Sequence, residues 1–302
     1  MILADLNGKV IAQWSTQFTD KQRAPKAVCS LMYDGLKVMC QEGSTSLKKV
    51  LHITAGAPGI TNVNSGVVLS APNLRDWDNV PLRAMIEKEM GIPAVVENDT
   101  NLAAVGEHWR GSAAGVEDFV FIALGTGVGA GIFLRDRLHH GANWSAGEIG
   151  YMGVSGSARS TLQVHVTGQL ERAIGGLGIE KEWMRLLQRD RRSHEVALTK
   201  LRATEVFDLA VDGDRLAGEV VQYTAQILAN CISDLALALD PEVVILGGGV
   251  GSHGELCRVT EKLLQRNEFA RPVIRSSSLS TQAQLHGAIS VSLSETESKL
   301  LS

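Results

Sequence analysis

The sequence lacks the features that mark several classes of protein. Its four cysteines, Cys29, Cys40, Cys231 and Cys257, include no Cys-x-x-Cys pair, which argues against a disulfide framework or a zinc site and indicates a reducing compartment. No apolar run approaches the roughly 20 residues of a membrane helix, and no signal peptide opens the chain. The net charge of -4 gives no polyanion-binding signature. We therefore expect a cytoplasmic protein without membrane contact.

What is present is a long, moderately apolar chain. Its 302 residues, 44% of them apolar, are enough for two domains with sizeable cores. Apolar strand-length runs alternate with helical stripes, of which the longest covers 214–239. Both halves contain hairpin, strand and helix units, which is consistent with a duplicated architecture although no sequence repeat is legible. The last helix is predicted over 283–293, and the tail 294–302 is expected to be frayed.

The stretch 97–101, Glu-Asn-Asp-Thr-Asn, joins an apolar strand at 92–96 to a helix that Leu102 opens. Asp99 or Asn98 is well placed to cap that helix, because a short acceptor can bind a free backbone N–H. A carboxylate at the carboxyl end of a strand is also where α/β proteins place chemistry. Two interpretations of Asp99 therefore remain open, an N-cap and a catalytic group.

Two glycine-rich stretches follow apolar strands. The first, 125–131, lies between two strands, so it predicts a hairpin and argues against a dinucleotide fold, which needs a helix after the turn. The second, 247–249, is three glycines after the predicted buried strand 243–246. Glycine allows a phosphate or a flat ligand to approach bare backbone. An ordinary glycine-rich hairpin is the alternative for the first stretch.

Glu148 stands alone among small residues in the stretch 141–151. A carboxylate in that setting can accept two hydroxyl donors, as a sugar requires. A solvent-exposed surface glutamate is the alternative interpretation.

These features occur in one order: the Asn-Asp pair, the Gly-Thr-Gly hairpin, Gly-Glu-Ile-Gly at 147–150 and the three glycines. Together with 56–59, 72–74 and Trp77, they resemble the repressor, open-reading-frame and kinase (ROK) family of the actin-like ATPase superfamily, over nearly the whole chain. The resemblance implies an α/β fold of two actin-like (ribonuclease H-like) domains with a cleft between them. We expect 1–97 plus 285–302 to form a smaller domain and 98–284 a larger one.

The resemblance also assigns roles to individual residues. Asp99 would be the general base that takes the proton from a sugar hydroxyl as it attacks the γ-phosphate of ATP. Residues implied to hold or line the sugar site are Gly59, Asn73, Asn98, Glu148, Tyr151 and Glu171. Residues implied to hold phosphates are Gly125, Thr126 and Gly127, and those implied to face the adenosine are Gly247, Gly248 and Gly249. Mg²⁺ would bridge phosphate oxygens, because phosphoryl transfer depends on positioning and charge neutralisation.

Three departures from the family pattern matter. The sequence begins after the Asp-x-Gly-Gly-Thr phosphate loop that opens family kinases, so the first strand is expected to be truncated. Tyr151 stands where the family has a histidine. The residues 154–159, Val-Ser-Gly-Ser-Ala-Arg, replace a Cys-rich zinc loop, so we expect no metal held by the protein and no zinc.

Two functions remain open on this basis. The first is an ATP-dependent hexose kinase, similar to a glucokinase. The second is a sugar-sensing module, similar to the effector domain of the family's transcriptional repressors; without their winged helix, no direct contact with nucleic acid is expected. An actin-like interaction scaffold is a third interpretation. The resemblance further implies a homodimer.

Overall fold

The computed structural model describes residues 1–72, 74–154, 162–163, 166–192, 195 and 198–301. Contacts divide the chain into two compact units. Unit 1 comprises Met1–Arg110, His140–Ser145 and Gln282–Ser302, and unit 2 comprises Gly111–His139 and Ala146–Thr281. These are packing units, and the expected domain boundaries at 97/98 and 284/285 stay a prediction.

Strands and helices alternate along the chain, as the apolar pattern predicts. The strands are β1 (Ile2–Ala4), β2 (Val10–Gln13), β3 (Ile53–Ala57), β4 (Ile60–Asn62), β5 (Val67–Ser70), β6 (Ala94–Asn98), β7 (Phe119–Leu124), β8 (Val128–Leu134), β9 (Arg137–Leu138), β10 (Val243–Gly247) and β11 (Val273–Ser276). The helices are α1 (Pro25–Glu42), α2 (Leu82–Met90), α3 (Asp99–Arg110), α4 (Gln169–Ile174), α5 (Gly176–Arg189), α6 (Ala203–Val211), α7 (Arg215–Leu239), α8 (Gly248–Gly251), α9 (Gly254–Leu264) and α10 (Ala283–Leu301). None of the described helices is long and apolar enough to cross a membrane.

The described strands of unit 1 form three two-stranded sheets. β1 and β2 form an antiparallel hairpin, and β4 pairs with β5 in the same sense, whereas β3 and β6 are parallel. The hairpin between β1 and β2 turns through Leu6, Asn7 and Gly8: the N–H of Gly8 donates to the carbonyl oxygen of Asp5 at 2.9 Å, and Gly8 has a φ of 73°. Apolar side chains such as Ile86 and Val96, both 0% exposed, form the core beneath β3 and β6.

The last helix, α10, packs so closely on α3 that each of the two helices needs a glycine at the contact. A Cβ at Gly106 would lie 2.0 Å from the carbonyl oxygen of Ala283, and one at Gly287 would lie 1.8 Å from that of Leu102. The predicted frayed tail is wrong, because α10 continues to Leu301. The side chain of Thr296, only 8% exposed, is packed in this segment, so burial holds it in the helix.

Unit 2 has a single mixed sheet of five strands in the order β11-β10-β7-β8-β9. The predicted hairpin after β7 is confirmed, but β8 begins at Val128 and not at Ile132. Gly129 and Gly131 belong to the strand because they pair with Ala123 and Phe121. The four apolar residues of β10 are at most 2% exposed, which fits a strand covered by helices on both faces.

Candidate functional site

Hydrogen bonds in the turn between β6 and α3 show which residue caps the helix. The Oδ1 atom of Asn98 accepts the backbone N–H groups of Thr100 at 2.8 Å and Asn101 at 3.0 Å. Asn98 is therefore the N-cap, and its Nδ2 atom donates to the carbonyl oxygen of Gly59 at 2.9 Å. A side-chain amide has two N–H groups, so one donor of Asn98 remains beyond this contact.

Asp99 is the first residue of α3. Its carboxylate does not cap the helix, because the side chain of Asn98 does. Burial raises its pKa above the ordinary carboxyl value, while hydrogen bonds from Thr100 lower it in part. Backbone of β3 approaches the same side chain, because a Cβ at Gly56 would lie 3.7 Å from the Cβ of Asp99. A carboxylate with a raised pKa is a stronger proton acceptor than an ordinary one, which suits a general base.

Glu97 stabilises this turn by hydrogen bonds, a role that no motif in the sequence predicts. It is 4% exposed, and its Oε1 atom accepts the N–H of Asn98 at 2.7 Å and the side-chain amide of Asn101 at 3.0 Å. Its Oε2 atom lies 2.7 Å from Nε2 of His140. Glu97 lies in the stretch 97–101, but His140 is distant in sequence, and no local pattern indicates that the two side chains pair.

Gly59 is required by the turn that holds Asn98. Its φ is 82°, and a Cβ there would lie 2.2 Å from the carbonyl oxygen of Ser70. The structure thus brings Gly59, Asn98 and Asp99 together in unit 1. Asn73, the remaining predicted sugar-site residue before β6, lies outside the described residues.

In unit 2 the two predicted glycine stretches are neighbours. β7 and β10 are adjacent parallel strands, and Ala123 pairs with Gly247 at their carboxyl ends. A Cβ at Gly248 would lie 2.5 Å from the carbonyl oxygen of Leu124, so the second stretch packs on the end of β7. At Gly125 and Gly249 a Cβ would meet nothing within 4 Å, which leaves bare backbone open to a ligand.

Glu171 fixes the Gly-Thr-Gly hairpin from the helical side. Its Oε2 atom accepts the N–H of Val128 at 3.1 Å, and a Cβ at Gly127 would lie 3.0 Å from the same oxygen. The N–H of Gly176, at the start of α5, donates to the carbonyl oxygen of Gly125 at 2.8 Å. Glu171 therefore contacts the predicted phosphate turn, and its expected contact with the sugar stays a prediction.

Glu148 directly precedes a short 3-10 segment, Ile149–Tyr151, and Tyr151 is its last residue. Burial, followed by the charges of Glu148 and Glu171, raises the pKa of the Tyr151 phenol. The phenol therefore stays protonated at neutral pH and can donate a hydrogen bond. The three acidic and phenolic residues predicted for the sugar site, Glu148, Tyr151 and Glu171, thus lie within electrostatic range of one another.

Within the described ranges, no group of three His, Cys, Asp or Glu side chains is arranged to hold a metal ion. Magnesium in phosphoryl-transfer sites is bound largely through substrate phosphates and water, so a Mg²⁺ ion brought by ATP is compatible with these residues. The residues 155–161, most of the loop predicted to have lost zinc, are not among those described, and the absence of zinc stays a prediction.

Comparison with known protein families shows the family to which the chain belongs. The ROK family model matches residues 1–295. The chain belongs to the ROK family. One relative, "Glucokinase" of Halalkalibacterium halodurans, is 33% identical over 258 residues, which cover 82% of this chain and 76% of that protein. The "Xylose repressor" of Caldicellulosiruptor bescii is 27% identical over 304 residues, covering 98% and 75%.

The solved structure of a ROK family glucokinase from Streptomyces griseus, in complex with glucose and AMPPNP, is similar along the chain. The two are 25% identical with a TM-score of 0.80, and the match covers 96% of this chain and 94% of that one. The predicted fold class is confirmed: the chain has the α/β fold of ROK sugar kinases, which consists of two actin-like domains. ROK relatives include both kinases and repressors, so a sugar kinase and a regulator are both consistent with membership.

Proposed function

We propose that the protein is an ATP-dependent hexose kinase, similar to a glucokinase, with Asp99 as its general base. One observation carries the proposal: Asn98 caps α3, so the adjacent carboxylate of Asp99 is released from the capping role, and burial raises its pKa. The hydrogen bonds that the Asp99 carboxylate does accept, from Thr100 and from its own backbone, lower its pKa by less than burial raises it. The arrangement favours the catalytic interpretation over the capping one.

In this proposal each half of the chain supplies one part of the reaction. Asp99 accepts the proton of the sugar hydroxyl that attacks the γ-phosphate. Sugar hydroxyls are held by the remaining donor of Asn98 and by Glu148, Tyr151 and Glu171. Gly125–Gly127 backbone binds phosphates, and Gly247–Gly249 lies against adenosine. Mg²⁺ bound to ATP would neutralise phosphate charge.

The relatives support a kinase in two ways. The Halalkalibacterium halodurans relative, named as a glucokinase, is the more similar in sequence of the two reported relatives, at 33% against 27%. The Streptomyces griseus glucokinase, solved with glucose and AMPPNP, matches nearly the full chain. Glucose is therefore the first sugar to test.

The experiment compares Asp99→Asn with the wild type in a coupled assay of ADP formation with glucose and ATP. We expect the variant to lose about 10²–10⁴-fold in kcat, because loss of a general base typically has that effect. The exposed residue Asp212, at the end of α6, provides the matched control, and Asp212→Asn should keep wild-type turnover. Wild-type kcat in Asp99→Asn would show that Asp99 is not the base.

A sugar-sensing function is the second candidate, and one observation favours it. The alignment with the Caldicellulosiruptor bescii xylose repressor covers 98% of this chain, against 82% for the glucokinase. In this alternative the protein binds a sugar and changes conformation without phosphorylating it. Wild-type protein that glucose or xylose stabilises against heat, but that produces no ADP with either sugar, would establish the sensor and reject the kinase.

The homodimer is part of the proposal in both cases. Sedimentation of the wild-type protein should give about twice the 32.4 kDa mass of one chain. A species of single-chain mass across micromolar concentrations would reject it.

A further inference from the structure

Two neighbouring histidines follow β9, and their side chains differ in what they contact. His139 is exposed, and its backbone N–H donates to the carbonyl oxygen of Ile132 at 2.8 Å. The side chain of His140 is 27% exposed, and its Nε2 atom lies 2.7 Å from the Oε2 atom of Glu97, whose side chain is 6% exposed. His140 therefore reaches an interior carboxylate of unit 1, the unit to which both residues belong.

The direction of this hydrogen bond follows from the other partners of Glu97. Its Oε1 atom accepts the backbone N–H of Asn98 and the side-chain N–H of Asn101. An ionised carboxylate only accepts hydrogen bonds, so the Nε2 atom of His140 carries the proton of the third bond and donates it. A hydrogen bond to a charged acceptor is shorter and stronger than one between neutral groups. His140 therefore holds the orientation of the Glu97 carboxylate.

Glu97 in turn binds the chain on both sides of Asp99. It accepts the N–H of Asn98, just before Asp99, and the side chain of Asn101, in the first turn of α3. The hydrogen bonds to the Asp99 carboxylate itself come from Thr100 and from its own backbone, so they do not connect the turn to other elements. The position of that carboxylate therefore depends on the side chains that bind the turn, Asn98 and Glu97.

The loop at 140–145 orients the imidazole of His140. The indole of Trp144 packs edge-on against it, with ring centroids 5.6 Å apart and an interplanar angle of 61°. Trp144 has a φ of 63°, in the left-handed region that bulky side chains rarely adopt. Such a residue costs about 1–3 kcal/mol and persists only where surrounding contacts hold it. The loop thus keeps a strained backbone in the conformation that places Trp144 against the ring of His140.

We propose that His140 is a positioning residue for the general base, acting through Glu97 on the turn that presents Asp99. Its role in catalysis rests on the proposed kinase function, whereas the support that it gives to the turn does not. A reacting group displaced by about 1 Å can cost about 10²-fold in rate, so loss of the Nε2–H donor should lower kcat. The proposed ATP contacts, 125–127 and 247–249, belong to unit 2, so KM for ATP should stay unchanged.

Two substitutions separate the hydrogen-bond donor of His140 from its ring. His140→Phe keeps an aromatic ring for Trp144 and removes the donor, whereas His140→Gln removes the ring and keeps a side-chain N–H. In the coupled assay of ADP formation with glucose, we expect His140→Phe to lower kcat by about 10- to 100-fold, with KM for ATP unchanged. His140→Gln should recover most of that loss. His139→Phe, the same change at the exposed neighbour, is the matched control and should keep wild-type kcat.

Amide hydrogen exchange gives a readout that does not depend on turnover. The N–H groups of Asn98, Thr100 and Asn101 are hydrogen-bonded within the turn, and NMR follows each of them. We expect His140→Phe to speed exchange at these three amides by about tenfold or more, and the other two variants to exchange like the wild type. The amide of Val128, in unit 2, should exchange at the same rate in every variant. This comparison separates local loosening of the turn from a loss of global stability.

Three results would overturn the proposal. Wild-type kcat and wild-type exchange in His140→Phe would show that the donor is not needed. Equal losses of kcat in His140→Phe and His140→Gln would assign the effect to the ring and its contact with Trp144. Faster exchange at Val128, as large as that in the turn, would reduce His140 to a general contribution to stability.

Failure of the proposed function would give a different result. Wild-type protein that forms no ADP would reject the kinase, and the exchange rates of His140→Phe would then decide the proposal alone. Faster exchange confined to the turn would support His140 as the residue that positions it, and rates equal to those of the wild type would reject that role.

Discussion

The Nε2 atom of His140 lies 2.7 Å from the Oε2 atom of Glu97, although 43 residues separate them along the chain. The same carboxylate accepts the N–H of Asn98 and the side chain of Asn101, so one buried group joins the loop at 140–145 to the turn that presents Asp99. Each oxygen of Glu97 has a partner, which is how a buried carboxylate is tolerated.

Replacement of Glu97 by leucine should destabilise the protein. Glu97→Leu leaves the N–H of Asn98 and the amide of Asn101 without their acceptor, and an unsatisfied buried polar group costs about 1–3 kcal/mol. Glu97→Gln keeps one acceptor oxygen and should cost less. Urea denaturation of the three proteins checks this order, and a leucine variant as stable as the wild type would contradict it.

The raised pKa of Asp99 makes a prediction about stability as well as catalysis. A carboxyl whose folded pKa lies above its unfolded value favours the folded state only when protonated, so its contribution is lost as pH rises through the folded pKa. At pH 7 the ionised Asp99 therefore destabilises the fold, and Asp99→Asn should raise the Tm. The gain should vanish below the ordinary carboxyl pKa of 3.8. Melting curves at pH 7 and pH 3.5 test this; a Tm gain of equal size at both would contradict it.

The pKa of Asp99 should also determine how enzymatic activity falls at acidic pH. A general base must be ionised, so turnover should fall as pH drops through the raised pKa of Asp99. The wild-type kcat/KM profile should therefore show an acid limb above pH 3.8. An acid limb at or below that pH, in protein that remains folded, would argue against the assignment.

Two helical glycines should respond to alanine with opposite sign. Gly287→Ala places a methyl group 1.8 Å from the carbonyl oxygen of Leu102, so α3 and α10 must separate, at a cost of about 1–3 kcal/mol. Gly218→Ala in α7 meets nothing within 4 Å and should stabilise the protein by about 0.5–1 kcal/mol. Denaturant midpoints measure both changes; stabilisation by alanine at position 287 as well as at 218 would show that helix propensity and not close packing governs position 287.

Alanine at Gly249 tests the proposed adenosine contact. A Cβ there meets no protein atom within 4 Å, so Gly249→Ala should leave the Tm unchanged while it weakens ATP binding about tenfold, equivalent to about 1.4 kcal/mol. Gly254→Ala, equally open and five residues further on, is the control and should bind ATP like the wild type. Equal ATP affinity of the two variants in calorimetric titrations would remove Gly249 from the proposed site.

Local pattern was sufficient for most elements. The apolar stripe over 214–239 predicted α7, and the glycine stretch between two apolar runs predicted the β7–β8 hairpin. The predictions from local sequence were wrong where tertiary packing determines the structure. The tail after 293 has weak periodicity but is held by burial of Thr296, and Gly129 and Gly131 extend β8 because β7 pairs with them.

The sequence by itself determined the family motifs, the order of the elements and the set of residues worth testing, because these depend on residue type and short spacing. Only the tertiary structure decided that Asn98 and not Asp99 caps α3, that Glu97 is bound by His140, and that α3 and α10 meet at Gly106 and Gly287. The reason is physical: hydrogen-bond partners, burial and strand neighbours are set by residues far apart along the chain, and no local pattern specifies which of them meet.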